Sequence, residues 1–186
     1  MDIDETMLEA EEKMDKALEV ARGDFQKIRS GRANPEMFTS LMVDYYGAPT
    51  PLQQLATVSI PEARTVLITP YDRGAMKDIE RAIAESDLGV NPTDDGQLLR
   101  INMPPLTQER RKDYVKLAKA KAEEARVAVR HVRRNAKETL DKIKKDGEAG
   151  EDDVARAEKE LDGLTKKATD QVDKLLDTKE KELMEL

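Results

Sequence analysis

Between Pro105 and Lys145 the apolar positions recur three and four residues apart: Tyr114, Ala118, Ala122, Ala125, Val129, Val132, Ala136, Leu140 and Ile143. That spacing places them on one face of a helix. Thr107 is positioned to cap its start behind Pro104 and Pro105, and neither Gly nor Pro interrupts the run before Gly147. Nearly forty residues at about 1.5 Å each predict a helix roughly 55–60 Å long, about twice the width of a small domain. Residues 4–29 predict a second helix, with Met7, Ala10, Met14, Ala17, Ala21, Phe25 and Ile28 on its apolar face and Gly31 as its stop. Gly147 and Gly150 predict a tight reversal. A third helix follows from about Glu151 to Leu183, its seam made by Val154, Ala157, Leu161, Leu164, Ala168, Val172 and Leu175.

From Arg32 to Pro104 the pattern is short, punctuated by proline and richer in β-branched residues. Asn34-Pro35 opens a brief helix through Leu41. Met42–Tyr46, Ala56–Ile60, Thr65–Thr69 and Leu98–Met103 read as strands, with Pro61 and Pro70 ending the middle two. The Gly-Ala-Pro-Thr-Pro run after the first strand reads as turn. Met76–Glu85 reads as a helix with Met76, Ile79, Ala82 and Ile83 inward.

Three amphipathic helices each need a partner for one stripe. The expected architecture is therefore α+β: an elongated three-helix bundle of residues 1–30 and 106–186, with a small β/α/β domain of residues 31–105 inserted into it. Two connections join them, Ser30-Gly31-Arg32 and Met103-Pro104-Pro105. Gly31 makes the first pliant, and the prolines stiffen the second, so together they predict a hinge.

Composition supports narrow seams over a broad core. Charged residues make up 38% and aromatics 3%, with no Trp. The absence of Cys excludes disulfides and thiolate chemistry. The acidic N-terminus has no signal-peptide core, and no apolar run is long enough for a membrane span, so a cytoplasmic protein with no membrane partner is expected.

Charge changes the picture more. The chain has a net charge of −7, yet residues 107–145 hold fourteen Lys and Arg against six Asp and Glu. Lys112, Lys116, Lys119, Arg126, Arg130, Arg133 and Lys137 form one row beside the apolar seam, broken by Glu123, with Arg134 next to it. The row is expected to face solvent. A charge run is ordinarily just a solvated face. Segregation of the positive charge onto one helix of an acidic protein points instead to a polyanion-binding surface. The row has no interleaved aromatics for base stacking, which favours phosphates of folded RNA read by shape. Arg29, Arg32, Arg110 and Arg111 flank the predicted hinge and could extend this surface.

No catalytic constellation is legible. His131 stands alone on the basic helix, Asp94-Asp95-Gly96 lacks calcium-loop spacing, and there is no phosphate-binding glycine loop. The sequence therefore predicts no enzyme, no cofactor and no metal site. The competing reading is a helical adaptor whose basic stripe serves solubility alone.

Four segments carry a resemblance: Lys27–Pro35 (KIRSGRANP), Val43–Ala56 (VDYYGAPTPLQQLA), Pro104–Asp113 (PPLTQERRKD) and Ala125–Lys137 (ARVAVRHVRRNAK). Together, in this order and across essentially the whole chain, they resemble the bacterial ribosome recycling factors. The resemblance implies an L-shaped, transfer-RNA-like molecule with a hinged second domain. It implies a role after translation termination: with elongation factor G and GTP hydrolysis, splitting the ribosome and releasing messenger and transfer RNA. It also implies that the bundle docks on large-subunit ribosomal RNA, that the GTPase belongs to the partner, and that the factor acts as a monomer. The residues matching the RNA contact are Arg29, Arg130 and Arg133, with Arg110, Arg126 and Arg134 added. The hinge expected between the domains is the one read above from the two connections, Ser30, Gly31, Arg32, Met103, Pro104 and Pro105.

Overall fold

The computed structural model describes residues 1–185 and divides into two compact units. The first comprises Met1–Ile28 and Asp113–Lys181; the second comprises Arg29–Lys112 and the C-terminal residues from Glu182. The six predicted hinge residues thus all lie within the second unit.

The first unit is built on three helices: α1 (Ile3–Gln26), α4 (Gln108–Lys145) and α5 (Glu151–Met184). Their apolar seams are buried against one another. Met14, Ala21 and Phe25 of α1, Ala118, Ala122, Val129 and Leu140 of α4, and Val154, Leu161 and Val172 of α5 are each at most 5% exposed. Ala10 of α1 lines one cleft with Val132 and Ala136 of α4, and Ile3 lines another with Ile143 and Ala157. The helices therefore alternate in direction. The seam includes Leu18 and the side chain of Thr6, which the periodicity did not single out; the Thr6 hydroxyl donates to the Asp2 carbonyl at 2.7 Å.

The ends of these helices follow local chemistry. Asp2 caps α1 by accepting from the Glu5 amide at 2.8 Å, and Thr107 caps α4 by accepting from the Arg110 amide at 3.1 Å. Gly31 does not stop α1: the helix closes at Gln26, with the Lys27 amide bonded to the Gly23 carbonyl and the Ile28 amide to the Phe25 carbonyl. Lys27 and Arg29 consequently lie beyond its last turn. At the end of α4, Gly147 takes φ 68°, the Glu148 amide reaches the Ile143 carbonyl and the Gly147 amide that of Lys144. Those two bonds satisfy carbonyls that the helix leaves open and turn the chain back into α5.

The second unit contains α2 (Glu36–Thr39), β1 (Met42–Tyr45), β2 (Ala48–Pro51), β3 (Ala56–Glu62), β4 (Thr65–Pro70), α3 (Met76–Ala84), β5 (Thr93–Asp94) and β6 (Leu99–Asn102). Strands β3, β4, β6 and β5 form an antiparallel sheet in that order, and β1 and β2 form a separate hairpin. Alternation buries Val66 and Ile68 of β4 and Leu99 and Ile101 of β6 in one cluster with Ile79 and Ile83 of α3, all fully buried. The expected turn at Gly-Ala-Pro-Thr-Pro needs correction: only its Gly47 lies in the turn, with Tyr46, and Ala48–Pro51 is strand β2, paired with β1. Pro61 does not end β3 either. It lies on an edge strand beside a register shift between Ser59 and Glu62, where proline's missing donor costs the ladder little.

Two glycines give opposite expectations. Gly147 sits in the left-handed region, so Gly147→Ala should lower stability by about 1 kcal/mol. Gly163 lies inside α5 with open space where an alanine methyl would stand, so Gly163→Ala should raise it by about 0.5–1 kcal/mol. Urea unfolding of the two variants beside the parent checks both signs.

Candidate nucleic-acid interface

Helix geometry puts Arg126, Arg130, Arg133 and Arg134 on the flank of the α4 seam, within the first unit. They are not equivalent. Arg126 lies partly under the surface, its side chain 21% exposed, with Nε and Nη2 donating to Asp173 Oδ1 of α5 at 2.9 and 2.7 Å. Its Nη1 donates to Glu123 at 3.2 Å. The hydrogen bonds that Arg126 donates to Asp173 hold its guanidinium above its usual pKa, against the opposing effect of partial burial. Arg133 repeats the arrangement: Nε and Nη2 lie 2.8 and 2.7 Å from Asp162 Oδ1. Arg130 makes only a long contact to Glu123, at 3.4 Å, and Arg134 is exposed without an ion pair among the described residues.

The row predicted to face solvent is therefore split. Arg126 and Arg133 are bolted across the α4–α5 groove, while Arg130 and Arg134 stand out from it. Lys112, Lys116, Lys119 and Lys137 are exposed as expected. The sequence reading missed Asp162 and Asp173. A hairpin turning near residues 148–149 levels residue 126 with about 171 and 133 with about 164, so helical rise alone could have found them. Locking a guanidinium to one carboxylate oxygen fixes its plane; at Arg126 the remaining edge is taken by Glu123, whereas Arg133, held by Asp162 alone, can turn its remaining edge to a phosphate.

Arg29 and Arg110 belong to the second unit. Arg29 is half-buried and its Nη2 donates to the Pro104 carbonyl, tying together the two predicted hinge connections. Arg110 is exposed, and its amide engages Thr107. Arg32 and Arg111, expected to extend the surface here, meet the C-terminal end of the chain. Arg32 lies 3.5 Å from Glu185, and Arg111 Nη1 donates to the Met184 carbonyl at 3.5 Å. Gly31 runs beside the Glu185 carbonyl and does not take the positive φ open to it. Ser30 Oγ, at 3.2 Å from the Arg32 carbonyl, closes a local turn.

Among the described residues there is no cluster of His, Cys, Asp and Glu that could hold a metal ion, and no helix is long and apolar enough to cross a membrane. His131 is exposed and meets only the Asn135 amide. The fold and the arginine-lined helix define a two-unit α+β factor whose distinguishing chemistry is charge presentation.

The family model of the ribosome recycling factor matches residues 21–184. The chain is 67% identical over 182 residues to the ribosome-recycling factor of Kineococcus radiotolerans, covering 98% of each chain. It is 62% identical to that of Renibacterium salmoninarum over 184 residues, covering 99% of this chain and all of that one. A solution structure of the ribosome recycling factor superimposes with a TM-score of 0.82 at 39% identity, covering 100% of this chain and 99% of that one. Another neighbour comes from models for the T. thermophilus ribosome recycling factor and the E. coli elongation factor G bound to the E. coli post-termination complex. Its TM-score is 0.70 at 44% identity, with full coverage of both chains. The chain belongs to the ribosome recycling factor family. Its function is ribosome recycling, and it is not an enzyme.

The ion-pair geometry predicts unequal coupling. A double-mutant cycle on Arg126 and Asp173 should give about 0.5–1 kcal/mol, and one on Arg130 and Glu123, both more than half exposed, close to zero. Unfolding at low and high salt measures both, and the first should shrink as salt screens it.

Proposed function

We propose that the arginine flank of α4 anchors this protein on large-subunit ribosomal RNA while elongation factor G, hydrolysing GTP, works on the second unit. The result is separation of the post-termination ribosome into subunits, with release of messenger and transfer RNA. The observation that carries this reading is the alternation along α4. Arg126 and Arg133 are held in fixed orientation by Asp173 and Asp162, and Arg130 and Arg134 project beside them. Fixed guanidinium planes lose little side-chain freedom when phosphates arrive. Arg29 and Arg110 contribute contacts from the second unit. The neighbour taken from the post-termination complex supports the choice of partners. The factor acts in the cytoplasm as a monomer.

Replacing Arg133 by Gln should weaken binding to purified large subunits by about 1–3 kcal/mol if it meets a phosphate. The glutamine also avoids setting a new acid beside Asp162. Loss of one phosphate contact should flatten the plot of log affinity against log salt by roughly 0.7–0.9. A magnesium-controlled salt titration showing parent affinity and parent slope would contradict the anchor. The adaptor reading predicts that outcome.

The pivot is proposed to consist of Ser30, Gly31, Arg32, Met103, Pro104 and Pro105, with the Arg29 bond to the Pro104 carbonyl tying its two strands. Stiff prolines restrict the axis of swing, so force applied to one unit is delivered along a defined path. Pro104→Gly with Pro105→Gly should leave large-subunit binding near the parent value and slow splitting by elongation factor G and GTP several-fold. Light scattering of post-termination ribosomes reads the splitting rate. An unchanged rate would remove the stiff connection from the mechanism.

A further inference from the structure

Three of the four tyrosines in the chain belong to one part of the second unit: Tyr45 and Tyr46 gather beside Asp72, and Tyr71 precedes Asp72 in the chain. Asp72 caps the turn before α3 by accepting from the Gly74 amide at 2.9 Å, and its other oxygen lies 3.3 Å from the Tyr45 hydroxyl. The Tyr45 and Tyr46 rings meet edge-on, with centroids 4.5 Å apart. The Tyr71 hydroxyl lies 3.3 Å from Thr57 Oγ1. The cluster is thus built and braced, yet Tyr46 is 78% exposed and Tyr71 is 70% exposed.

Tyr46 is also the one non-glycine residue with positive φ among the described residues, at 50°. It occupies the first place of a two-residue hairpin turn where Asn, Asp or Gly would sit without steric cost. A bulky aromatic there strains the backbone and gains little burial in return. Strain held at an exposed, braced side chain suits a surface made for a partner.

Charge selects the kind of partner. Residues 31–106 hold six Lys and Arg against ten Asp and Glu. The carboxylates of Asp72, 3.3 Å from the Tyr45 hydroxyl, and Asp78 put a negative field beside the tyrosines. After desolvation, the charge and hydrogen bond of Asp72 and then the charge of Asp78 help hold the Tyr45 phenol above its usual pKa. Phosphates are repelled by such a field, whereas cations are drawn to it and to tyrosine faces. We propose that Tyr46 and Tyr71 form a docking surface for a protein partner that presents lysine or arginine to them. This rests on the reading that a protein works on the second unit during recycling, and it names where that protein is held and by what chemistry.

The test uses the full-length protein, purified post-termination ribosomes, elongation factor G and GTP. Tyr46→Asn, which suits the turn, should melt at or above the parent temperature. Tyr46→Asn with Tyr71→Ala should bind large subunits within about two-fold of the parent and split ribosomes about ten-fold more slowly at limiting factor. Asp78→Lys should slow splitting and Arg73→Glu should speed it, each about three-fold. A parent splitting rate in the tyrosine variant overturns the proposal. So does loss of large-subunit binding by that variant with its melting temperature intact, since the tyrosines would then belong to the anchor. The reverse pair of charge effects, or no effect from either, overturns it as well; the reverse pair would give the surface to RNA. Failure of the α4 anchor itself shows separately, as unchanged binding by Arg133→Gln.

Discussion

Everything in this molecule depends on burying one narrow seam along α4. Its buried positions are Ala118, Ala122, Ala125, Val129, Ala136, Leu140 and Ile143. Alanine lets neighbouring helices approach closely and favours the helix itself. A seam so thin cannot stabilise an isolated helix in water, so α4 requires both α1 and α5. One partner is adjacent in sequence and the other lies before the whole second unit. That requirement is what makes the second unit an insertion.

The same helix explains how an acidic chain presents positive charge. Residues beside a buried seam lie at the edge of a helix pair, where long side chains can rest their stems on apolar surface and meet the neighbouring helix. Arg126 and Arg133 meet Asp173 and Asp162 there. A surface ion pair contributes little to stability. Its larger consequence here is orientation: the paired arginines have defined planes, while the lightly held Arg130 and Arg134, which has no ion pair among the described residues, keep their reach. The second unit has the opposite balance, acidic and marked by exposed tyrosines. Under the proposed function, the basic surface holds RNA and the acidic one holds a protein.

Much of the fold was legible in the sequence because its signals are periodic and long. The seams of α1, α4 and α5, the Thr107 cap and the Gly147 reversal follow from spacing and from residue chemistry at helix ends. The inward face of α3 and the alternation in β4 and β6 were legible for the same reason. Short, isolated elements were not. Two prolines hid β2, because a hairpin that pairs on one side tolerates proline in a way a central strand does not. The end of α1 was misplaced by reading Gly31 as its stop, when the helix closes on carbonyls of its own last turn. The arginines of the candidate site were legible as a charged row. Their division into braced and projecting members was not, since the braces lie 29 and 47 residues away.

Local pattern settled which stretches become helices and strands, which face of each is buried, and that positive charge gathers on one helix. These properties are set by the 3.6- and 2-residue periods and by side-chain chemistry. Family membership was legible too, in four ordered segments. Three-dimensional packing alone fixed which acid meets which arginine, that Arg29 reaches the Pro104 carbonyl, that Tyr45 meets Asp72 and that Tyr71 meets Thr57. Most of those pairings join residues far apart in the chain. Their geometry depends on how helices and hairpins pack, which no local pattern encodes.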